Sequence, residues 1–319
     1  MATIYKEDSS SGAVTRRTLE ASSHRYGEKL IRGLLFLCGA ISVVITTGIV
    51  LSMIGPTVSF LRQIPIAEFL TGTVWAPSFA TPSFGVLPIV VGTGLVLVVS
   101  LSVAIPVGLA SAIYLSEYAS PRTRRAIKPA LEVLEGIPTV AIGLFAAWFL
   151  HPIAKSVFPF LGEWRSPFSI GVAGLAVGLL IVPLVTSVSD DAMRSVPRAL
   201  REGAYALGSS KFAVSTRVVF PAAISGIVAG VVLAGSRAVG ETMVVLIAAG
   251  AGNPNLSFNL TEGVQTMTAY IAGRATGDIP VGTLAYDTLF AVGILLFTAT
   301  LILNLISIRF VRRFRELYD

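Results

Sequence analysis

Two charged residues lie within a long apolar stretch of this sequence. In "VVLAGSRAVGETMVV", residues 231–245, Arg237 and Glu241 are four positions apart, a spacing that predicts one shared helix face. Each such charge costs about 2.5–3.5 kcal/mol near the centre of a bilayer. One interpretation is a neutralised pair that locks two helices together. The other is an ion pair lining an anion path, in which the guanidinium meets the anion and the carboxylate holds the arginine in place.

The elements that must position this pair are membrane spans. The 319-residue chain is 54% hydrophobic and only 13% charged, and its mean hydropathy of +0.79 excludes a soluble globular domain. Six apolar runs are long enough to cross about 30 Å of hydrocarbon as helices. They lie at about 31–54, 85–115, 131–151, 168–189, 222–250 and 284–308. We predict an all-α integral membrane protein with six transmembrane helices, the first of them a retained anchor.

Lysine and arginine are unevenly distributed between the segments that connect these spans. The N-terminus, the loops 116–130 and 190–221 and the tail from Arg309 hold nineteen, against four in the intervening loops. Because basic residues stay on the inner side, both termini are predicted to be cytoplasmic. The basic cytoplasmic segments account for the formal net charge of +6. Membrane lipid is therefore the expected surrounding partner, and nucleic acid is not expected as one.

The ends of the chain and its outer segments carry weaker signals. Residues 1–29 are polar and Ser/Thr-rich, which predicts a flexible cytoplasmic N-terminus before a transmembrane domain at 30–315 and a tail at 316–319. The long outer segments 56–84 and 251–283 either cover a pore, receive an external partner or serve only as packed lids.

The cytoplasmic segment 190–221 is far longer than a turn requires. Across 197–207 apolar residues recur at helical spacing, Gly208 supplies a helix stop, and a second short helix is predicted at about 210–220. The two helices present a small apolar ridge with a charged rim. Such a surface suits docking into a groove on another protein.

This segment resembles the EAA loop of ATP-binding-cassette importer permeases. The resemblance rests on Glu202, Gly203, Ala204, Gly208 and, thirteen residues after that last glycine, Pro221. In the family the loop forms a coupling helix seated in a cleft of the ATPase, so the resemblance implies ATPase coupling through the first four of these residues. Gly203 replaces the family's usual alanine and is expected to loosen the helix slightly.

Nucleotide and metal binding are not expected in this chain. The sequence contains no G-x-x-x-x-G-K-[ST] phosphate cradle, so ATP-Mg is expected on a partner ATPase. Cys38 is the sole cysteine, and His24 and His151 lie far apart without partner ligands, so neither a disulfide nor a metal site is predicted. An intramembrane enzyme would need a nucleophile with a base, or a metal cluster, and the sequence shows neither arrangement.

Four runs resemble PstC-type permeases of phosphate-specific importers over about residues 30–315: "FGVLPIVVGTGLV", "AIPVGLASAIYLSEYA", "LEVLEGIPTVAIGLF" and "SRAVGETMVVLIAAG". The resemblance implies a type I ABC importer permease in a bacterial inner membrane, moving inorganic phosphate inward by alternating access as a coupling helix at about 198–211 moves. It implies three partners: a PstA-like second permease, a PstB-like ATPase dimer that hydrolyses ATP, and a PstS-like external phosphate-binding protein.

Arg237 and Glu241 are the residues expected to line the phosphate path. Thr242 and Glu135 are weaker candidates, the latter because a glycine and a proline that can break a helix follow it. Two alternatives stay open at this point. One is a permease for sulfate or molybdate, since an arginine does not distinguish tetrahedral oxyanions. The other is an ATP-independent anion carrier or channel, which leaves the EAA-like loop unexplained.

Overall fold

The computed structural model describes three stretches of the chain: residues 26–250, 255–277 and 280–315. The predicted flexible N-terminus lies outside the described residues as far as residue 25, and the tail 316–319 lies wholly outside them. The chain divides into two compact units, residues 1–52 and 53–319.

The first unit contains the larger part of one long helix. Helix α1 runs Tyr26–Gln63 and includes a candidate membrane span, Leu30–Gln63, whose most apolar 18-residue stretch is not buried in protein. Its large apolar side chains from Leu30 to Ile49 are exposed. Such a helix suits a lipid environment, because the hydrocarbon solvates the side chains while the backbone bonds to itself.

The described part of the second unit consists mainly of helices. Its first half contains α2 Ile66–Thr71, α3 Leu87–Ile113, α4 Pro121–Glu135, α5 Thr139–Phe145, α6 His151–Val157 and α7 Ile170–Ser195. Its second half contains α8 Arg198–Ala206, α9 Lys211–Val214, α10 Phe220–Ala222, α11 Ile224–Val239, α12 Met243–Ala248, α13 Met267–Ala275 and α14 Leu284–Arg315. Wider π-helical turns at Tyr114–Tyr118, Ala146–Leu150 and Ser215–Val219 continue α3, α5 and α9, and a 3-10 turn at Pro159–Leu161 follows α6. The strands β1 Trp75–Ala76 and β2 Ser83–Phe84 form a small antiparallel hairpin.

Among the described residues, five helical segments are long and apolar enough to cross a bilayer, and a bent pair supplies a sixth. The predicted fold class, an all-α membrane protein with six spans, is thereby confirmed.

The third predicted span, 131–151, is wrong at its start. Residues 131–135 belong to α4, which carries six charged side chains and is too polar to span hydrocarbon. Gly136 caps α4, and Pro138 precedes the next helix, so the chain breaks between them. The segment long and apolar enough to span a membrane runs Thr139–Val157 instead.

The fifth predicted span, 222–250, is not one continuous helix. Segments Lys211–Ala222 and Ile224–Val239 meet at an angle of 71°, shortly after Pro221. The helix then stops at Val239, and α12 begins only at Met243. The charged motif therefore lies at the break between α11 and α12, where backbone groups need partners from other elements.

Helices α3 and α7 form the centre of the second unit. A Cβ atom on Gly174 would lie 2.5 Å from Cβ of Val99, and one on Gly178 would lie 3.0 Å from the carbonyl oxygen of Ser100. Only glycine permits this approach. Close packing through small residues is the usual way in which membrane helices associate, since hydrocarbon provides no hydrophobic drive between them.

Segment 56–84 is packed through aromatic rings. Trp75 pairs with Phe84 across the hairpin. The ring of Phe60 contacts those of Phe69 and Phe84 with centroids 5.2 and 5.6 Å apart, and Trp75 meets Tyr270 of α13 at 4.9 Å. Edge-on contacts of this kind stabilise a packed layer beyond the area that they bury.

Candidate functional site

Arg237 and Glu241 do not share a helix face. Arg237 lies in the last turn of α11, which ends two residues later, and Gly240 caps that helix through its N–H. The N–H of Glu241 donates to the carbonyl oxygen of Ala238, three residues back, at 3.2 Å. Glu241 therefore lies beyond the end of the α-helical backbone of α11. The predicted shared face is wrong because the i, i+4 spacing presupposed an unbroken helix.

Glu241 is buried and caps the next helix. Its side chain is 9% exposed, and Oε1 accepts a hydrogen bond from the N–H of Val244 at 3.2 Å, in the first turn of α12. Its carbonyl oxygen accepts from the hydroxyl of Thr268 at 2.7 Å. A carboxylate is favourable at a helix N-terminus because it satisfies a free N–H and complements the helix dipole.

Arg237 is exposed, and no hydrogen bond or ion pair joins its side chain to another described residue. In particular, the expected ion pair with Glu241 is not formed in the described part of the chain. The neighbouring Ser236 donates its hydroxyl to Oδ1 of Asn304 at 2.7 Å, which joins α11 to α14 at the same level. The guanidinium is therefore held on an anchored helix with its fork of donors free to bind an anion.

Threonine hydroxyls surround the interruption. Thr93 of α3 accepts from the N–H of Met267 at 3.0 Å, and the hydroxyls of Thr266 and Thr268 lie 3.2 Å apart. Thr242, a weaker sequence candidate, is half-buried beside Glu241 and donates to the carbonyl oxygen of Gly240 at 3.1 Å. Thr93, Thr266 and Thr268 leave no signal in the sequence, because single threonines in apolar helices usually bond only to their own backbone.

A buried tyrosine, Tyr270, joins α13 to α14. The hydroxyl of Tyr270 forms a hydrogen bond with that of Thr288 in α14. Burial raises the pKa of the Tyr270 hydroxyl above its ordinary value, so this group stays a neutral hydrogen-bonding partner.

Glu135 is placed apart from these residues. It is the exposed last residue of α4, and no ion pair joins it to another described residue. The structure does not bring this weaker candidate into the interrupted span by any contact that it describes.

The segment predicted to dock on an ATPase forms two short helices, α8 and α9, joined by a glycine turn. After α8, the N–H of Gly208 donates to the carbonyl oxygen of Tyr205 at 2.9 Å and that of Ser209 to Ala204 at 3.2 Å, which together form a Schellman motif. The φ of Gly208 is +79°, the left-handed region that favours glycine. The hydroxyl of Ser210 then accepts from the N–H of Ala213 and starts α9.

One face of this pair of helices is open and apolar. Glu202 and Gly203 are exposed, whereas Ala204 packs against a buried cluster that includes Met193 and Val214. The exposed apolar side chains of the segment are Leu200, Tyr205, Leu207 and Phe212. The chain therefore offers an apolar ridge beside Glu202, with Ala204 fixing its base.

Ion pairs that the sequence did not predict join α8 to the turn after α3, and α4 to α7. Arg201 of α8 lies 3.1 Å from Oε1 of Glu117. Arg124 of α4 lies 2.5 Å from Asp190, and Lys128 lies 2.6 Å from Asp191. Only basic residues at loop positions and a pair of aspartates were visible in the sequence. Partners separated by more than sixty positions leave no local pattern.

The chain matches the family model described as "Binding-protein-dependent transport system inner membrane component" over residues 104–316. It is 30% identical to "Probable ABC transporter permease protein YqgH" of Bacillus subtilis, with 89% of this chain and 91% of the relative covered. It is 33% identical to "Phosphate transport system permease protein PstC" of Mesorhizobium japonicum, covering 75% and 76%. It is 32% identical to "Phosphate transport system permease protein PstC 1" of Mycobacterium tuberculosis, covering 77% and 82%.

Solved structures show the same fold at low identity. A chain of a bacterial alginate ABC transporter aligns with TM-score 0.60 and 18% identity over 91% of this chain and 98% of its own. A chain of the MetNI methionine ABC transporter aligns with TM-score 0.52 and 16% identity over 72% and 94%. At such identities the likeness concerns the fold alone, which is that of type I ABC importer permeases.

Fold and sequence together define the class: a multi-pass inner-membrane permease subunit of an ABC importer. The chain belongs to the family of binding-protein-dependent transport system inner membrane components. Its resemblance to PstC-type permeases is confirmed.

Proposed function

We propose that this chain is one of two permease subunits of an ATP-driven importer of inorganic phosphate. The observation that carries the proposal is Arg237, an exposed guanidinium without an ion-pair partner among the described residues, at the end of α11 where a membrane span is interrupted. A planar fork of donors matches the oxygens of a tetrahedral anion. Relatives named as phosphate transport system permeases support phosphate as that anion.

Glu241 has two parts in this proposal. By capping α12 it stabilises the interruption that leaves Arg237 at the end of a helix. Its negative charge, four residues away along the chain, also weakens the attraction of the region for an anion. A transport path needs this balance, because phosphate that binds too tightly is not released. Thr242 contributes a hydroxyl to the same turn.

ATP hydrolysis drives the change between outward-facing and inward-facing states in this proposal. The exposed ridge of Leu200, Leu207 and Phe212 on α8 and α9 docks on a PstB-like ATPase dimer, which binds ATP-Mg. Glu202, Gly203, Ala204 and Gly208 shape that docking surface. A PstA-like permease completes the path, and a PstS-like protein delivers phosphate from outside.

The test is uptake of radiolabelled phosphate by cells that depend on this system, with excess unlabelled sulfate present. Arg237→Gln removes the charge, and Arg237→Lys keeps the charge but not the fork. We expect the first variant to lose uptake and the second to retain a small part of it, because an ammonium cannot bind two oxygens side by side. Normal uptake by Arg237→Gln with a fully assembled complex contradicts the proposed path.

Two further arms separate the rival functions. Sulfate or molybdate that competes as well as unlabelled phosphate identifies another oxyanion as the substrate. Uptake that persists after deletion of the partner ATPase identifies an ATP-independent carrier or channel.

A separate measurement checks the proposed topology, in which both termini are cytoplasmic. Arg62→Cys should be labelled from the outer face and Arg312→Cys from the inner face.

A further inference from the structure

Arg201 reaches from α8 to the ends of two membrane helices. Its Nη1 donates to the carbonyl oxygen of Val196 at 2.6 Å, and its Nη2 donates to that of Met193 at 2.8 Å and to Oε1 of Glu117 at 3.1 Å. Met193 and Val196 lie at the C-terminal end of α7, and Glu117 lies in the π-helical turn that continues α3. One side chain therefore joins α8, α3 and α7.

These contacts are shielded from water. The side chains of Arg201 and Glu117 are 17% and 6% exposed, and the hydroxyl of Ser116 donates a second hydrogen bond to Oε1 of Glu117 at 3.0 Å. Losing one partner of such a pair leaves a buried charge unsatisfied. The contacts of Arg201 therefore resist being pulled apart when α8 is displaced.

The neighbouring contacts support the same connection. Nζ of Lys211, in α9, lies 4.9 Å from the ring centroid of Tyr118, next to Glu117. Arg198, one turn before Arg201 on α8, is instead exposed, and its side chain has no hydrogen bond to another described residue. Two arginines on one helix thus differ in whether they contact the membrane helices.

We propose that Arg201 is the positioning residue through which displacement of α8 reaches α3 and α7. Its planar guanidinium holds three acceptors in fixed directions, which the single ammonium of a lysine does less well. Because α3 and α7 form the centre of the second unit, movement at their inner ends reaches the main helix pair. The inference rests on the proposed docking of the ATPase at α8.

The test uses the complete importer in proteoliposomes, with its binding protein and phosphate, and measures phosphate transported per ATP hydrolysed. We expect Arg201→Gln to lower this ratio about fivefold while the ATPase still co-purifies, and Arg201→Lys to fall between it and the native chain. Arg198→Gln is the matched control and should stay within about twofold of native. A purely structural role of Arg201 would reduce the yield of complex and leave the ratio unchanged.

A second variant covers failed assembly. Glu117→Gln leaves both carbonyl contacts of Arg201 in place and removes only the charge pair, so a smaller fall in the ratio is expected. An unchanged ratio in assembled Arg201→Gln, or in Glu117→Gln where the first variant does not assemble, overturns the inference. Cross-linking of Leu207→Cys to the ATPase tests docking separately. Without that cross-link the docking proposal fails, whereas a cross-link with an unchanged ratio rejects the role of Arg201 alone.

Discussion

Asp190 of α7 lies against Arg124 of α4 in a buried ion pair. Oδ2 of Asp190 is 2.5 Å from Nη2 of Arg124 and 3.8 Å from Nζ of Lys128, and the aspartate side chain is 1% exposed. The next residue, Asp191, is 61% exposed and lies 2.6 Å from Lys128. Two adjacent aspartates thus make similar bonds to the same helix at opposite extremes of burial. The difference in burial separates their expected contributions to stability.

Asp190→Asn should destabilise the protein much more than Asp191→Asn. Removing one partner of a buried pair costs roughly 3–5 kcal/mol, and the value here is expected near the lower end because Arg124 keeps some access to water. An exposed pair contributes at most about 1 kcal/mol. Thermal unfolding of the purified complex, followed at low and high salt, compares the two. Equal losses of stability would show that burial of Asp190 does not matter.

Glu241→Gln and Glu241→Ala should separate the cap from the charge. The amide oxygen of glutamine can still accept from the N–H of Val244, so the stability of Glu241→Gln should stay close to native. Glu241→Ala loses the cap and about 0.5–2 kcal/mol with it. Phosphate uptake should fall in both variants if the charge matters for transport. Unfolding measurements with parallel uptake assays check this, and normal uptake by Glu241→Gln argues that the carboxylate is a cap alone.

The apolar pattern predicted a six-span helical fold, and the places where helices break differently have physical causes. Hydropathy over twenty residues cannot locate a break of three residues, so the interruption at 240–242 was read as one continuous helix. Gly240, followed directly by the charged Glu241 in an apolar stretch, is the local sign of that break. Glu135 was assigned to a span because it lies next to apolar sequence, although the polar helix α4 contains it.

Helices α8 and α9 were easier to predict from the sequence than the side-chain contacts that join α8 to the membrane helices. Helical periodicity and Gly208 indicate both short helices, because these signals are local. Arg201 and Glu117 are 84 positions apart, and only the packing of α3 against α7 brings them together. Sequence patterns of one chain contain no record of such a pairing.

Gly203→Ala and Gly208→Ala should act in opposite directions. A Cβ atom on Gly203 meets no other atom within 4 Å, so alanine should stabilise α8 by about 0.5–1 kcal/mol and leave uptake intact. Gly208 has a φ of +79°, where an L side chain costs about 1–2 kcal/mol and weakens the turn into α9. Unfolding midpoints and co-purification of the ATPase measure both effects. A destabilised Gly203→Ala would show that residue 203 needs more than a helical backbone.

Gly72→Ala should disturb the outer layer, because two glycine backbones meet there. A Cβ atom on Gly72, just after α2, would lie 2.5 Å from Cα of Gly85, just after β2, so the backbone has to move. Overpacking of this kind typically costs about 1–3 kcal/mol. Gly94→Ala is the matched control in α3, since a Cβ atom there meets nothing within 4 Å. Limited proteolysis from the outer face should cut Gly72→Ala faster than native within the segment 56–84 and leave Gly94→Ala unchanged. Equal cleavage of all three proteins would mean that the hairpin can shift without loosening, and that its aromatic contacts, rather than the glycine approach, hold the layer in place.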